Sequence, residues 1–120
     1  MTKGQEPEQK RSEVLQGTLD LMILKTLEVM GPLHGYGIAR RLEQQSEDVL
    51  QLNEGTVYTS LLRLRQQGWI SSSWGASENN RKAKFYSITK AGRKQLAHEM
   101  ENWERISGVI GRVLEATSEK

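Results

Sequence analysis

The chain has 120 residues, 36% of them hydrophobic, and no cysteine. This length suits one domain, and the lack of cysteine excludes disulfide frameworks, cysteine-based zinc fingers and thiol nucleophiles. The formal charge is only +2, yet residues 34–94 hold ten Lys or Arg against five Asp or Glu, a local excess of +5. Such an excess suits contact with a polyanion, and an ordinary solvated surface explains it as well.

The start of the chain differs in composition from the rest. Residues 1–13 are polar and almost without apolar side chains, so we interpret them as a disordered tail and not as a signal peptide. No apolar run approaches the roughly 20 residues that a membrane span needs. We therefore expect a soluble cytoplasmic protein with no membrane partner, divided into a domain over 14–89 and a C-terminal helix over 90–116.

Helical spacing of apolar residues predicts three helices before any strand. The first two cover about 18–30 and 35–45, and the third covers 54–67. Asn53 is a good N-cap for the third helix, and Gly68 suits the left-handed position after its end.

A β-hairpin and a last helix are predicted next. The runs 69–74 and 83–88 carry β-branched or aromatic residues at a rough period of two. The polar segment 75–82 between them is rich in turn-forming residues, so we expect a hairpin with a long basic tip. Thr89 is the N-cap expected for a helix that ends near Glu115.

The last helix carries an apolar stripe longer than so small a domain can cover. The stripe residues recur at alternating spacings of three and four, which places them on one helix face. A second copy of the same helix would bury them, so the sequence predicts a homodimer. The residues assigned to dimerisation are Leu96, Met100, Trp103, Ile106, Ile110 and Val113.

The predicted fold class is α+β, mostly α. The order of the elements is typical of a winged helix-turn-helix: three helices, a two-stranded wing and a long C-terminal dimerisation helix. In that fold the third helix enters the major groove of double-stranded DNA. Its outer face would offer Gly55 for close backbone approach, and Thr56 and Thr59 for contacts with bases or phosphates. Arg63 on the same face has the reach for a phosphate or for a forked contact with guanine. A solvated helix face is the alternative interpretation.

The tip of the hairpin is the second candidate for contact with DNA. Arg81, Lys82 and Lys84 place three positive charges within four residues. A basic tip beside the third helix would contact phosphates without reading the base sequence. The alternative is a loop that serves only solubility.

Four stretches of the chain, from Leu15 to about Trp103, resemble the PadR family of bacterial transcriptional regulators. His-Gly-Tyr-Gly before the second helix and Gly-Thr-x-Tyr in the third are the most specific strings. The stretches are LQGTLDLMILKTL (15–27), GPLHGYGIARRLEQ (31–44), LNEGTVYTSLLRLRQQGWI (52–70) and NNRKAKFYSITKAGRKQL (79–96).

The resemblance implies a dimeric regulator, usually a repressor, that binds a palindromic operator. It also implies that the third helix reads bases with the help of a tyrosine, which would be Tyr58 here. The family usually has proline after that tyrosine and this chain has Thr59, which leaves the DNA register around residues 58–61 open. The single last helix resembles the branch of the family with a short dimerisation region.

The family's regulators often respond to small aromatic or hydrophobic effectors near the dimer interface, which here would involve Met100 and Trp103. Plain packing of the dimer is the interpretation of Trp103 that we favour. His34 and His98 have no acidic or cysteine partners at ligand spacing, so we expect no metal and no cofactor. His34 is expected to cap or pack at the start of the second helix.

An enzyme is not expected, because the sequence contains no nucleophile with a base, no paired carboxylates and no glycine-rich phosphate loop. A winged-helix module that binds another protein and not DNA is the alternative function, and the modest net charge keeps it open.

Overall fold

Four helices and a small antiparallel sheet make up the fold in the computed structural model, which describes the backbone of residues 5–118 and the side chains of residues 17–118. The predicted fold class, α+β and mostly α with a wing and a long last helix, is confirmed. The elements are α1 (Gln5–Met30), β1 (Leu33–His34), α2 (Gly35–Gln45), α3 (Glu54–Gln66), β2 (Ile70–Ala76), β3 (Lys82–Ile88) and α4 (Lys90–Glu115).

The first helix begins earlier than expected. The sequence predicts a disordered tail over 1–13, whereas α1 already includes residues 5–13. Residues 1–4 of the predicted tail lie outside the described residues. Glu, Gln, Lys and Arg have high helix propensity, and Pro7 falls within the first turn, where proline is tolerated. The polar composition that suggested disorder is therefore also compatible with helix.

Three of the predicted helix caps are confirmed. The Asn53 side chain accepts a hydrogen bond from the Thr56 N–H at the start of α3, and Thr89 accepts one from Gly92 at the start of α4. His34 caps α2, since its Nδ1 accepts the Gly37 N–H at 2.9 Å. These caps satisfy backbone donors that have no partner within a helix.

The core lies between α1, α2 and α3, with the sheet and the first turns of α4 closing one side. All of its members are nearly inaccessible to solvent, and they come from every element except β1. They are Leu19, Ile23, Leu24, Leu27, Ile38, Ala39, Leu42, Val57, Leu61, Leu64, Ile70, Tyr86 and Leu96.

The sheet has three strands in the order β1-β3-β2, where two were predicted. β1 has only two residues, Leu33 and His34, which pair with Tyr86 and Phe85 and are too few to give an alternating pattern. β2 and β3 are paired along their whole length, from the Ile70–Ile88 pair to the Ala76–Lys82 pair. The hairpin tip is therefore shorter than predicted and spans only residues 77–81.

The start of α4 docks on the core, and the remainder carries exposed apolar residues. Leu96, predicted to face a second copy, is only 1% exposed and belongs to the chain's own core. The apolar stripe is continuous along the helix, and its first part covers the domain. The other predicted dimerisation residues are 39–65% exposed: Met100, Trp103, Ile106, Ile110 and Val113. The division of the chain into 14–89 and 90–116 stays a prediction.

Candidate nucleic-acid interface

An open groove of about 790 Å³ is lined by the starts of α2 and α3, by β3 and by the turn that precedes β3. Its lining includes aromatic and cationic side chains together with the carboxylates of Glu54 and Glu78. The groove residues used below are Gly55, Tyr58, Arg81, Lys82, Lys84 and Tyr86.

The first turns of α3 present their outer face to solvent. Gly55, Thr56 and Thr59 are exposed, and the Tyr58 side chain is 52% exposed. The Thr59 hydroxyl donates to the Gly55 carbonyl at 2.9 Å, so it can offer an incoming group only its methyl and an acceptor oxygen. That combination suits base edges better than phosphates, because a thymine methyl or an exocyclic amino group can meet it.

Arg63 does not stand free on this face, as the sequence suggested. Its Nη2 donates to Oδ1 of Asp20 at 2.8 Å and its Nε donates to Oδ2 at 3.2 Å. A third bond runs from Nη2 to the Ser60 hydroxyl at 3.1 Å. Asp20 lies 43 positions earlier in the chain, so local spacing could not reveal this partner. The guanidinium connects α3 to α1 and is not available as a free base-reading fork.

The cations of the hairpin are ordered by an aromatic ring. Lys82 and Lys84 lie on β3, and their Nζ atoms sit 5.1 and 5.3 Å from the ring centroid of Trp74 on β2. Of the predicted basic tip, only Arg81 lies in the turn. Lys84 pairs directly with Trp74 in the ladder, so the geometry follows from the register. Two positive charges are thus held side by side next to the groove.

Tyr86 forms the floor of the groove near Tyr58. Burial raises the pKa of the Tyr86 phenol, repulsion from Tyr58 raises it further, and the positive charge of Arg65 lowers it. Tyr86 therefore stays a neutral phenol. Arg65 is exposed and lies two helical turns after Tyr58 on the same face of α3.

Sequence reasoning missed two cationic or aromatic features of this surface. Trp74 was interpreted only as a strand residue. Once the strand register is known, a tryptophan paired directly with a lysine indicates a cation–π contact. Arg65 was passed over in favour of Arg63, although its seven-residue spacing from Tyr58 places both on one face.

Other kinds of site are not evident in the described part of the chain. Among residues 17–118, no three His, Asp or Glu side chains are placed to hold a metal ion. No described helix combines the length and apolar character that crossing a membrane requires.

The architecture defines the class of protein. The α2–α3 pair followed by the β2–β3 hairpin is a winged helix-turn-helix, with α3 at the position of the recognition helix and the hairpin as the wing. Comparison with known proteins gives the family. The sequence model of the transcriptional regulator PadR-like family matches residues 23–98, which is more than half of the chain. The chain therefore belongs to that family.

Solved structures share both the fold and part of the sequence. A transcriptional regulator from Clostridium thermocellum is 30% identical and superposes with a TM-score of 0.74, over 83% of this chain and 93% of the other. A PadR-like transcriptional regulator from Bacillus cereus is 27% identical with a TM-score of 0.73, over 88% and 99% of the two chains.

A relative from Lysinibacillus sphaericus, an uncharacterized protein, is 27% identical over 105 residues, which covers 88% of this chain and 95% of the relative. The similarity thus covers more of the chain than the matched family region, which itself ends within α4. Membership of a family of transcriptional regulators agrees with the expectation that the chain is not an enzyme.

Proposed function

We propose that the chain is a sequence-specific DNA-binding transcriptional regulator, in which α3 enters the major groove and the wing contacts the adjacent backbone. One observation carries this proposal: Gly55 and Tyr58 on the exposed face of α3 border the same open groove as Lys82 and Lys84 of β3. The major groove, about 12 Å wide, admits one helix. Thr56, Tyr58 and Thr59 would then meet base edges, while Arg81, Lys82 and Lys84 neutralise phosphates.

We further propose that the regulator acts as a homodimer joined through α4, in the cytoplasm, where bacterial DNA lies. The exposed apolar residues of α4 support this, because a monomer would leave a long hydrophobic stripe in water. Two identical recognition helices related by a two-fold axis read an inverted repeat with half-sites about one helical turn apart. The operator is therefore expected to be palindromic.

The family resemblance favours a repressor. A small hydrophobic or aromatic effector would relieve repression by releasing the protein from DNA. Met100 and Trp103 would form the effector contact, since both are partly exposed at the start of the free stripe. Packing of the two copies uses the same side chains, so an effector would have to enter between them.

Selection of bound duplexes from a random DNA pool tests the function directly. A palindromic consensus is expected, and its affinity should fall steeply as salt rises, because log K falls by about 0.9 per phosphate contact for each decade of salt. Adding small aromatic compounds to the same binding assay tests the effector. No enrichment at low salt would favour the protein-interaction module instead.

Matched charge variants sharpen this test. Lys82→Gln should lower the slope of log K against log salt by about one unit if Lys82 contacts a phosphate. Arg105→Gln removes an exposed charge from the side of α4 away from Trp103 and should leave both slope and affinity unchanged. Equal effects of the two variants would contradict the proposed placement of the wing.

A further inference from the structure

The recognition helix is tied to α1 by the forked contact between Arg63 and Asp20. Two nitrogen–oxygen bonds of 2.8 and 3.2 Å join the guanidinium to both carboxylate oxygens. The two side chains are 36% and 23% exposed, and the contact also reaches Ser60, which is 1% exposed. Three of the five guanidinium N–H groups are thus used within the chain.

This is the only ion pair among the described residues that links α3 to another element. The inner face of α3 is held by Val57, Leu61 and Leu64 through apolar contacts, which have no directional preference. A two-bond fork between planar groups does have one, so it adds a directional restraint on rotation of the helix about its own axis. Rotation of α3 determines where the exposed threonines point.

We propose that Asp20 and Arg63 are positioning residues for base recognition: the fork sets the rotation of α3 on α1, and Arg63 does not itself read a base. This inference rests on the proposed function. Side chains of a binding site must be held within about 10–20° of their working orientation, so a small rotation of α3 is enough to weaken recognition. Asp20 is the informative member, because a carboxylate gains nothing from approaching phosphates.

A double-mutant cycle on the full chain tests the inference. Asp20→Asn, Arg63→Gln and the double variant are compared for binding to the selected operator and to a random duplex of equal length. We expect each single variant to lower the ratio of operator to random affinity about tenfold, and the double variant to lower it no further, because paired residues share one interaction. Affinity for random DNA and its salt slope should stay as in the wild type.

Two further variants separate positioning from stability and from direct contact. Lys25→Gln breaks the Lys25–Glu28 ion pair within α1 and should leave the specificity ratio intact. Arg63→Lys keeps the charge but loses the fork, and it should lower the ratio as Arg63→Gln does. Circular dichroism and thermal unfolding confirm that all variants are folded at the assay temperature.

The contrary outcomes are distinct. If Asp20→Asn keeps the wild-type ratio while Arg63→Gln loses it, Arg63 reads a base directly and the inference is wrong. If Arg63→Gln weakens binding to both duplexes equally and lowers the salt slope by about one unit, Arg63 is a phosphate contact and the inference is again wrong. A wild type with no preference for any sequence would overturn the proposed function and this inference with it.

Discussion

Trp74 shows how a single side chain can organise the charge of the wing. The residue is 62% exposed, which is unusual for so large an apolar group, yet two lysine ammonium groups lie within 5.3 Å of its ring centroid. A cation over an aromatic face gains about 0.5–1 kcal/mol at an exposed site. Lysines held in this way lose less freedom when they meet phosphates, so less binding energy is spent on ordering them.

Trp74→Ala is therefore expected to weaken binding to operator and random DNA by the same factor, about two- to fivefold, with an unchanged salt slope, because no charge is removed. Trp74→Phe should restore most of the affinity. Fluorescence anisotropy across a salt series measures both quantities. Ser73→Ala, on the opposite face of β2, is the matched control. A lower salt slope in Trp74→Ala would mean that the lysines have left the DNA, against this account.

Among the elements, α4 depends on one glycine for its docking. A methyl group on Gly92 would overlap the carbonyl oxygen of Trp69 and lie 2.8 Å from Ile88 Cγ1. Gly92 is buried, and its N–H is bonded to the Thr89 cap. The first turn of α4 thus packs directly on the backbone at the base of the wing.

Gly92→Ala is expected to lower the free energy of unfolding by about 1–3 kcal/mol, because the backbone oxygen of Trp69 cannot move aside as a flexible side chain would. Gly108→Ala on the same helix meets nothing within 4 Å and should raise stability by up to about 1 kcal/mol through helix propensity. Urea unfolding of the two variants measures the difference. Equal stabilities would show that α4 does not dock through this contact.

Local signals predicted the elements well, because caps and turn residues act within a few positions. Asn53 and Thr89 marked two helix starts, and Gly68 adopts the left-handed backbone expected after α3, with φ +79. The two-residue β1 escaped detection because its pairing partner lies about fifty residues away, and pairing alone defines it.

Two predicted site residues lie in surroundings that the sequence did not predict, because periodicity reveals a helix face but not what covers it. Leu96 belongs to the same stripe as Met100, yet the chain's own core covers it. Arg63 belongs to the same face as Thr59, yet Asp20 engages it. In both cases the deciding contact is tertiary, and the sequence carries no local record of it.

At the scale of the whole molecule, α4 carries an uncovered apolar face beyond its docked first turns. Six further residues along its last part are 42–79% exposed, whereas Leu96 at its start is buried. They are Trp103, Ile106, Val109, Ile110, Val113 and Leu114. A face of this length matches the two-helix interface proposed above, and it would set the distance between two copies of α3.

Ile110→Asp is expected to shift the protein from dimer to monomer, because two buried carboxylates would face each other near the two-fold axis without a partner charge. The monomer should bind the palindromic operator far more weakly, since each half-site is then bound without the gain from linkage. Analytical ultracentrifugation and operator titration measure the two effects together. Arg105→Asp, on the other side of α4, should stay dimeric and bind normally. A wild type that sediments as a monomer at micromolar concentration, or an Ile110→Asp variant that remains dimeric, would remove α4 as the dimer interface.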